Sequence, residues 1–387
     1  MVIGFDGSRA FIEKKTGTEN YSYQLLHNLS LIDQKNTYIV YLRPRVQGTG
    51  YSLPAGKAGV QFPKNFHFVT IPYSRLWTQV GLAKQTFIDK LDVLFIPAHT
   101  LPIIRKPGLR TVVTVHDLGA EYLPTTHQLK QRLYLKHMTA HQLKTATHLI
   151  AVSQATKQDL ISKVKIPAGN ISVVYEGYNN RLYSKRSDPE VNKITAAYGL
   201  APNAYFLFVG TIQPRKNLAR LIQAYAEFIK TLHPTPYTLH PKLALAGSKG
   251  WLSDEIYKLP KQLGIEDQVK FLEYVPDQDL PALYSGAIAF LFPSLFEGFG
   301  LPVLEAMACE CPVLTSNVSS LPEVAGQAAV LVNPHSVKDI ASGIARVQST
   351  GCRVQLIPKG LRQVKKFSWK SAAEETLQNL EKVAKSS

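Results

Sequence analysis

Short apolar runs alternate with longer amphipathic segments along almost the whole chain. The runs are continuous stretches of Val, Ile, Leu and Phe, as in strands that are buried on both faces of a parallel sheet. The segments between them have helical spacing, and strands that alternate with helices predict βαβ units. The predicted strands are 2–5, 37–42, 67–70, 93–96, 111–115, 148–152, 171–174, 205–209, 242–246, 269–271, 287–292, 312–315 and 329–332.

The alternation restarts near Tyr205, after a polar stretch at 179–203 that has no core periodicity. We interpret that stretch as a linker followed by a helix at 190–198. The chain length also suits two cores of roughly 150–200 residues each. We therefore predict an α/β fold with two Rossmann-like, doubly wound parallel-sheet domains, 1–183 and 184–367. The last helix, 368–385, is expected to begin at an N-cap serine and to pack back on the first domain.

The composition is that of an ordinary globular protein, with 45% hydrophobic and 19% charged residues. No run of ~18 apolar residues predicts a membrane-spanning helix. The amino terminus is predicted to be a strand and not a secretory signal. The three cysteines, Cys309, Cys311 and Cys352, do not form a disulfide framework. These features predict a cytoplasmic location.

The net charge of +16 is uneven, because residues 1–180 hold 21 Lys and Arg against 10 Asp and Glu. Such a field favours anionic partners, although general solubility explains it equally well. A basic segment at 127–148 is either a helix with a solvated face or a helix that rests on an anionic membrane. The chain has no interleaved aromatic and basic motif, so we expect no nucleic-acid partner. A peripheral contact with the inner face of a membrane stays open.

The stretch 292–308 predicts a buried strand, a glycine-containing turn and a helix that starts near Leu301. Gly298 and Gly300 would let a ligand approach the backbone, and the helix start would offer N–H groups to a diphosphate. Glu297 and Glu305 flank the turn, and carboxylates accept hydrogen bonds from sugar hydroxyls. Both are expected at the carboxyl ends of the strands, where open α/β sheets bind ligands.

Two cations, Arg215 and Lys216, follow another predicted strand and its Gly210 turn, just before a helix that starts near residue 217. Cations in that place oppose the helix dipole, which disfavours a purely solvated role. Fixed cations can neutralise the charge that develops on a departing diphosphate. Gly247 ends the next strand and is predicted to line the same site.

The motif Glu297-x7-Glu305 within Phe-Glu-Gly-Phe-Gly-Leu-Pro-Val-Leu-Glu-Ala-Met-Ala resembles the signature of the retaining GT-B glycosyltransferases of family 4, the group 1 glycosyl transferases. The stretches 312–316 and 319–324 match it too, and the resemblance extends over nearly the whole chain. It implies two facing Rossmann-like domains with a cleft between them, the first binding the acceptor and the second a nucleotide-sugar donor.

The resemblance also implies roles for individual residues. Glu305 would bind the ribose, Glu297 the transferred sugar, and Lys216 the phosphates. Thr211 stands where the family often has Arg, so Arg215 is expected to supply that charge. The implied donor-binding residues are Gly17, Gly210, Arg215, Lys216, Gly247, Glu297, Gly298, Phe299, Gly300, Leu301 and Glu305.

The strand end at 111–115 is followed by His116, which matches a family histidine near the donor sugar. It would bind a sugar hydroxyl or position the acceptor, with Asp117 orienting the ring or capping the next turn. The implied catalytic residues are Glu297, His116, Lys216 and Arg215. Pro97-Ala-His99 follows another strand and is a further candidate for facing the acceptor.

The implied activity is that of a retaining hexosyltransferase that moves a sugar from a nucleotide diphosphate sugar to a hydroxyl of a glycan or lipid-linked saccharide. Mannose from GDP-mannose is the first choice, because the branch with Pro-Arg-Lys-Asn at 214–217 resembles mannosyltransferases. The leaving phosphate would accept the acceptor's proton, and we expect neither a metal nor another cofactor. The alternatives are a GT-B-like epimerase or phosphorylase and a non-catalytic polyanion-binding protein. The oligomeric state is not predicted.

Overall fold

The computed structural model describes residues 1–12, 17–44, 61–98, 100–118, 140–232 and 240–386. It divides the chain into two compact units. The first unit is Met1–Gly177 together with Ser368–Ser387, and the second is Tyr178–Phe367. The predicted boundary at 183 therefore differs from the observed division, and Tyr178 already belongs to the second unit.

The described residues of the first unit form a seven-stranded parallel sheet in the order β3-β2-β1-β4-β5-β6-β7. Its central strands are almost wholly buried, as the continuous apolar runs predicted. The strands are β1 Val2–Asp6, β2 Thr37–Leu42, β3 Phe66–Thr70, β4 Val93–Ile96, β5 Arg110–Val115, β6 His148–Ala151 and β7 Ile171–Val173.

The helices of the first unit cover this sheet. The long final helix begins at Ser368, whose hydroxyl accepts a hydrogen bond from the backbone N–H of Ser371 at 3.0 Å, so the predicted N-cap is confirmed. This helix packs on the first helix, and its Val383 carbonyl accepts a hydrogen bond from Arg110 of β5. The described helices are Gly17–Ile32, Ala83–Ile88, Gln154–Asp159 and Trp369–Lys385, with π-helical turns at Trp77–Leu82 and Leu160–Val164 and a 3₁₀ turn at Ala168–Asn170.

The described residues of the second unit form a six-stranded parallel sheet in the order β10-β9-β8-β11-β12-β13. All thirteen predicted strands are thus confirmed, each within two residues of its predicted ends. The strands of this sheet are β8 Tyr205–Val209, β9 Lys242–Ala246, β10 Val269–Glu273, β11 Ala289–Phe292, β12 Val313–Ser316 and β13 Ala329–Val332.

The helices of the second unit have recognisable start signals. Ser336 and Ser349 each accept a backbone hydrogen bond from the residue three positions later, which satisfies a free N–H of the first turn. The helix predicted at 190–198 is present and begins two residues earlier, at Asp188. The described helices are Asp188–Ala197, Leu218–Thr231, Asp254–Gln262, Leu280–Gly286, Leu301–Ala308, Leu321–Ala325, Val337–Gln348 and Thr350–Val364, with a 3₁₀ turn at Pro214–Lys216.

The chain leaves the first unit after Gly177 and returns to it at Ser368. These two points touch, because a Cβ atom on Gly177 would lie 2.1 Å from the backbone nitrogen of Trp369. The φ angle of Gly177 is not in the left-handed region. The glycine is required here because two backbone segments approach too closely for a side chain.

Candidate active site

The sheet of the second unit has a switch point between β8 and β11. Numbered from one to six along this unit, its strands lie in the order 3-2-1-4-5-6, which is the order of the Rossmann fold. β8 is therefore the first strand and β11 the fourth, and they pair at Phe206 and Ala289. Chain connections run away from this point on both sides, and open α/β sheets bind ligands in the crevice at the carboxyl ends of such strands.

The loops that follow β8 and β11 meet in an ion-paired cluster. Lys216 Nζ lies 2.6 Å from Glu297 Oε1, and Arg215 donates to Glu297 Oε2 at 2.9 Å. The side chains of Lys216 and Glu297 are only 10% and 9% exposed, whereas that of Arg215 is 20% exposed. The structure thus brings Glu297 together with two adjacent cations that precede it by more than eighty positions. We call Arg215, Lys216 and Glu297 the acid–cation cluster.

Burial governs the electrostatics of this cluster. Desolvation alone would raise the pKa of the Glu297 carboxyl, but Lys216 and Arg215 lower it more, so its pKa lies below the ordinary value. Lys216 also lies over the ring of Phe292, with its Nζ 4.8 Å from the ring centroid. The carboxylate therefore stays ionised at neutral pH and leaves one net positive charge on the cluster.

Backbone contacts fix both loops of the cluster. Arg215 donates to the Phe296 carbonyl at 2.8 Å, and the backbone N–H of Leu295 donates to the Arg215 carbonyl at 3.0 Å. The hydroxyls of Ser319 and Ser320 both donate to the Glu297 carbonyl. Since buried polar groups that are fully paired hold one geometry, the acid and its cations are preorganised before any ligand arrives.

Asn217 positions the two cations, a role that the sequence analysis missed. It adopts a left-handed conformation with φ 63°, which asparagine tolerates better than most residues. Its side-chain amide donates to the carbonyls of Pro293 at 2.9 Å and Pro334 at 2.7 Å. These bonds tie the loop after β8 to the loops after β11 and β13. The asparagine directly after Arg215-Lys216 was the available signal for this role.

Gly210 and Gly247 end β8 and β9 with φ angles of 147° and 152°. A Cβ atom on Gly247 would lie 1.9 Å from the carbonyl oxygen of Gly210. The sequence analysis predicted that both glycines line a ligand site. The structure adds a packing reason, because the two strand ends touch through their backbones.

The turn after β11 carries the four other predicted backbone contacts. Gly300 has φ 109°, a conformation that favours glycine, and it directly precedes helix Leu301–Ala308. The Phe299 side chain is buried against the ring of Phe367, with centroids 5.6 Å apart, so only its backbone is offered to a ligand. Gly298 lies between Glu297 and Phe299 in the same turn. The structure thus places a helix start beside the acid–cation cluster.

Glu305 has different neighbours from Glu297. Tyr284 donates to its Oε2 at 3.3 Å, and Tyr183 also hydrogen-bonds to it. Burial and the nearby Asp277 raise the pKa of Glu305 to about 8. The two glutamates of the motif are therefore held in opposite protonation states at neutral pH, one ionised and the other largely protonated.

Asp277-Gln278-Asp279 is an acidic pair that the sequence analysis overlooked. Asp279 accepts a hydrogen bond from the hydroxyl of Tyr198 at 2.7 Å, while Asp277 lies near Glu305. Within the described parts of the chain, no three His, Cys, Asp or Glu side chains are placed to share one metal ion.

His116 follows β5 in the first unit and is buried there. Its Nδ1 lies 3.2 Å from Glu176 Oε1 and its Nε2 lies 2.9 Å from the Pro97 carbonyl. Burial alone would lower the pKa of His116, but Glu176 and the Pro97 carbonyl raise it above its ordinary value. Because both partners accept hydrogen bonds, the doubly protonated ring satisfies both of them. We expected Asp117 to orient this ring, whereas the structure gives that position to Glu176.

Gly17 is the first residue of helix Gly17–Ile32. A Cβ atom there would meet nothing within 4 Å, so packing among the described residues does not require a glycine at this position. The preceding residues 13–16, His99 and residues 119–139, which include most of the basic segment at 127–148, lie outside the described residues. The described part of that segment is helical at 140–145. Among those that are described, no helix has the length and apolar character needed to cross a bilayer.

Comparison with known proteins gives the same class as the fold and the site. A solved structure of the Anabaena protein HepE in complex with UDP and glucose superposes with a TM-score of 0.73 at 19% identity, covering 99% of this chain and 100% of that one. The fold of this chain is therefore GT-B, with two parallel-sheet Rossmann-like units.

Sequence comparison assigns the chain to a family within this fold. Residues 16–181 match Glycosyltransferase Family 4 and residues 192–357 match Glycosyl transferases group 1. The chain is 36% identical over 269 residues to the O-antigen chain mannosyltransferase B of Escherichia coli, which covers 69% of each protein. It is also 30% identical over 306 residues to the serotype-specific mannosyltransferase WbdA of E. coli, where the match spans 76% of this chain and 35% of that protein. The chain belongs to the group 1 family of glycosyltransferases and is a glycosyltransferase enzyme.

Proposed function

We propose that this enzyme transfers a hexose, with mannose as the first candidate, from a nucleotide diphosphate sugar to a hydroxyl of a glycan or lipid-linked saccharide. The anomeric configuration would be retained. The acid–cation cluster carries this proposal, since it sets two cations and an ionised carboxylate at the switch point of the second sheet.

The cations suit a leaving diphosphate. Lys216 is a point charge and Arg215 a planar donor, and both are held in place before the donor arrives. Charge that develops on the β-phosphate during departure would be stabilised by such preorganised groups without a cost of reorganisation. The start of helix Leu301–Ala308 would add N–H donors to the same phosphates.

The two glutamates suit the two polar ends of the donor. Glu297 is ionised and can accept hydrogen bonds from hydroxyls of the transferred sugar. Glu305 lies in helix Leu301–Ala308 beside Tyr183 and Tyr284, where its carboxyl would receive the ribose hydroxyls. We propose that the backbone of Gly298, Phe299, Gly300 and Leu301 passes between these two positions, with Gly210 and Gly247 opposite.

The first unit would bind the acceptor. His116 is buried there and its pKa is raised. We propose that its ring is protonated in the working enzyme and that its Nε2 leaves the Pro97 carbonyl to face the transferred sugar. An imidazolium donates two hydrogen bonds and accepts none, so its role would be to donate to a sugar oxygen and not to remove a proton. The departing phosphate would then take the proton of the acceptor hydroxyl. Gly17 at the start of its helix would lie on the same side.

The relatives favour mannose and a polysaccharide acceptor. Mannosyltransferase B and WbdA of E. coli are both named for mannose transfer, and the first also for O-antigen chains. We propose a lipid-linked acceptor of this kind, which would put the reaction at the inner face of a membrane.

A donor screen tests the proposal. Purified enzyme is incubated with GDP-mannose, GDP-fucose, UDP-glucose or UDP-N-acetylglucosamine and a mannose-terminated acceptor, with and without a chelator. Nucleotide release that depends on the acceptor, together with an NMR spectrum of the product that shows the donor's anomeric configuration, is the expected result. Conversion of the donor to an epimer without an acceptor, phosphorolysis, or failure to bind any nucleotide sugar would each overturn it.

A further inference from the structure

Large apolar side chains are exposed to an unusual degree on one part of the first unit. Among the described residues, six of the exposed large hydrophobic side chains lie between positions 76 and 104. Their exposed fractions run from 40% to 70%. They are Leu76, Val80, Phe87, Ile88, Ile103 and Ile104.

Helical spacing brings part of this set onto one face. Val80, Lys84, Phe87 and Ile88 follow an i, i+4, i+7, i+8 pattern along the continuous helical segment formed by Trp77–Leu82 and Ala83–Ile88. The opposite face of the segment, with Trp77 and Leu82, is buried in the core of the first unit. The exposed stripe is thus the solvent-facing side of a helical segment whose other side packs in the core of the first unit.

Hydrogen bonds hold a second strip of chain beside this helix. The Gln79 side chain donates to the Leu101 carbonyl and accepts from the backbone N–H of Ile103. Seven residues further along the helical segment, the Thr86 hydroxyl accepts a hydrogen bond from the backbone N–H of Lys106. Ile103 and Ile104 therefore lie next to the helical stripe. We call the six apolar residues together with Lys84 and Lys106 the apolar–cationic face.

The charges of this region are mostly positive. Segment 75–106 contains five Lys and Arg but two Asp. Of these acids, Asp89 accepts hydrogen bonds from Tyr41 and Gln85, and Asp92 accepts one from the backbone N–H of Val2. Arg75, Lys84, Lys90 and Lys106 are all exposed. A partner that fits this region must accept both apolar side chains and cations.

Leu76 illustrates how the surface is arranged. It has φ 52°, in the left-handed region, which is unfavourable for a bulky residue, and its side chain is 69% exposed. A strained backbone that directs a leucine into water is expected where that side chain has a binding role.

We propose that the apolar–cationic face docks onto an anionic lipid bilayer. Apolar side chains can enter the boundary between head groups and acyl chains while lysines pair with lipid phosphates. The apolar side chains protrude separately from a helix and a loop, and a deformable lipid surface can accommodate them. A folded protein partner would instead need a surface of complementary shape with matching hydrogen-bonding groups. The docking requires no bound donor or acceptor, although it fits the membrane-borne acceptor of the proposed function.

Flotation with lipid vesicles tests this inference. Full-length enzyme is mixed with vesicles of phosphatidylcholine alone or of an equal mixture with phosphatidylglycerol, at low and high salt. We expect binding to the anionic vesicles, weakening with salt because exposed charges are screened. In the double variant Phe87→Ser, Ile104→Ser the partition coefficient should fall at least about tenfold. Lys84→Gln should lower it about fivefold.

The matched control is Val354→Ser, which removes an equally exposed apolar side chain from the second unit. It should leave vesicle binding unchanged, and every variant should keep its melting temperature and its transfer rate on a water-soluble acceptor. Equal binding by wild type and the double variant, or an equal loss in Val354→Ser, would overturn the proposal. A third result would also overturn it: light scattering shows that the wild type is a dimer and the double variant a monomer, and the wild type does not bind vesicles. Since no transfer is measured in flotation, this result is independent of the proposed reaction.

Discussion

Lys216 and Glu297 stand on loops after neighbouring strands, and their Nζ and Oε1 atoms lie 2.6 Å apart in a largely buried pair. A lysine held there is already oriented, because its ammonium can hardly move without leaving Oε1 of this buried carboxylate with only the Arg215 pair on its other oxygen. The pair thus serves as a structural brace of the second unit and as a charge available to a ligand.

Lys216→Ala should lower kcat by roughly 10²–10³ if the ammonium stabilises the leaving phosphate, as loss of one preorganised donor does in other enzymes. Steady-state kinetics with the best donor measures this. Lys193→Ala, which removes an exposed lysine of the same unit, should leave kcat unchanged. A Lys216→Ala enzyme with wild-type kcat would remove the lysine from the mechanism.

Glu297→Gln should reduce both turnover and stability, since two cations then lack their counter-charge. Breaking such a pair costs about 3–5 kcal/mol, whereas replacing both partners costs much less. Adding Lys216→Met to Glu297→Gln should therefore restore much of the melting temperature but none of the activity. If the double variant regains turnover, the cluster has only a structural role.

Glu305 should make the protein less stable as the pH rises. Because its pKa is raised from 4.5 to about 8, the folded chain keeps a proton that the unfolded chain has lost. Its contribution to stability is full below 4.5 and declines until the pH reaches about 8. Glu305→Gln cannot ionise, so its melting temperature relative to wild type should climb across this interval. Glu255→Gln, at an exposed site, should track wild type throughout; a parallel track for Glu305→Gln would contradict the raised pKa.

Glu176→Gln should lower the pKa of His116, because burial then remains without the carboxylate that opposes it. An NMR titration of the ring protons measures this directly, and His148, whose pKa burial lowers, provides an internal reference. The stability lost in this variant should be largest at acidic pH, where the imidazolium is fully formed, and should shrink as the pH rises through the wild-type value. Other groups near the ring are Asp117 and Tyr21, whose ring centroid lies 4.6 Å away. An unchanged titration would show that Glu176 does not control the proton.

Gly177→Ala should destabilise the first unit, because its Cβ would overlap the backbone of Trp369. The cost should be in the range of about 1–3 kcal/mol that overpacking brings. Gly169→Ala is the matched control, since a Cβ atom there meets nothing within 4 Å. Thermal melting of both variants decides the matter, and equal melting temperatures would rule out the close contact.

The strands were predictable because a strand that is buried on both faces of a parallel sheet is apolar at every position, and such a continuous run is visible in the sequence. The Glu297-x7-Glu305 motif was predictable for a related reason, since its glycines and acids lie close together in sequence. The partnership of Glu176 with His116 was not, because it depends on which strands become neighbours. Asn217 was missed for the same reason, as its two carbonyl partners come from loops that only the folded sheet brings near.

The domain boundary was also hard to place from sequence. Residues 179–203 are polar, which suggested a linker, yet they contain Tyr183, whose ring is buried beside Tyr284. Val191 and Leu200 are buried in the same segment, and so few scattered apolar residues give no periodicity that would assign it to a domain.

The contact between Gly177 and Trp369 makes the second unit an insertion within the first. During synthesis, the sheet of the first unit emerges early but lacks the helix Trp369–Lys385 until all of Tyr178–Phe367 has been made. The apolar surface that this helix covers stays exposed until then, so the second unit can finish folding before the first unit, although the first unit begins earlier in the chain.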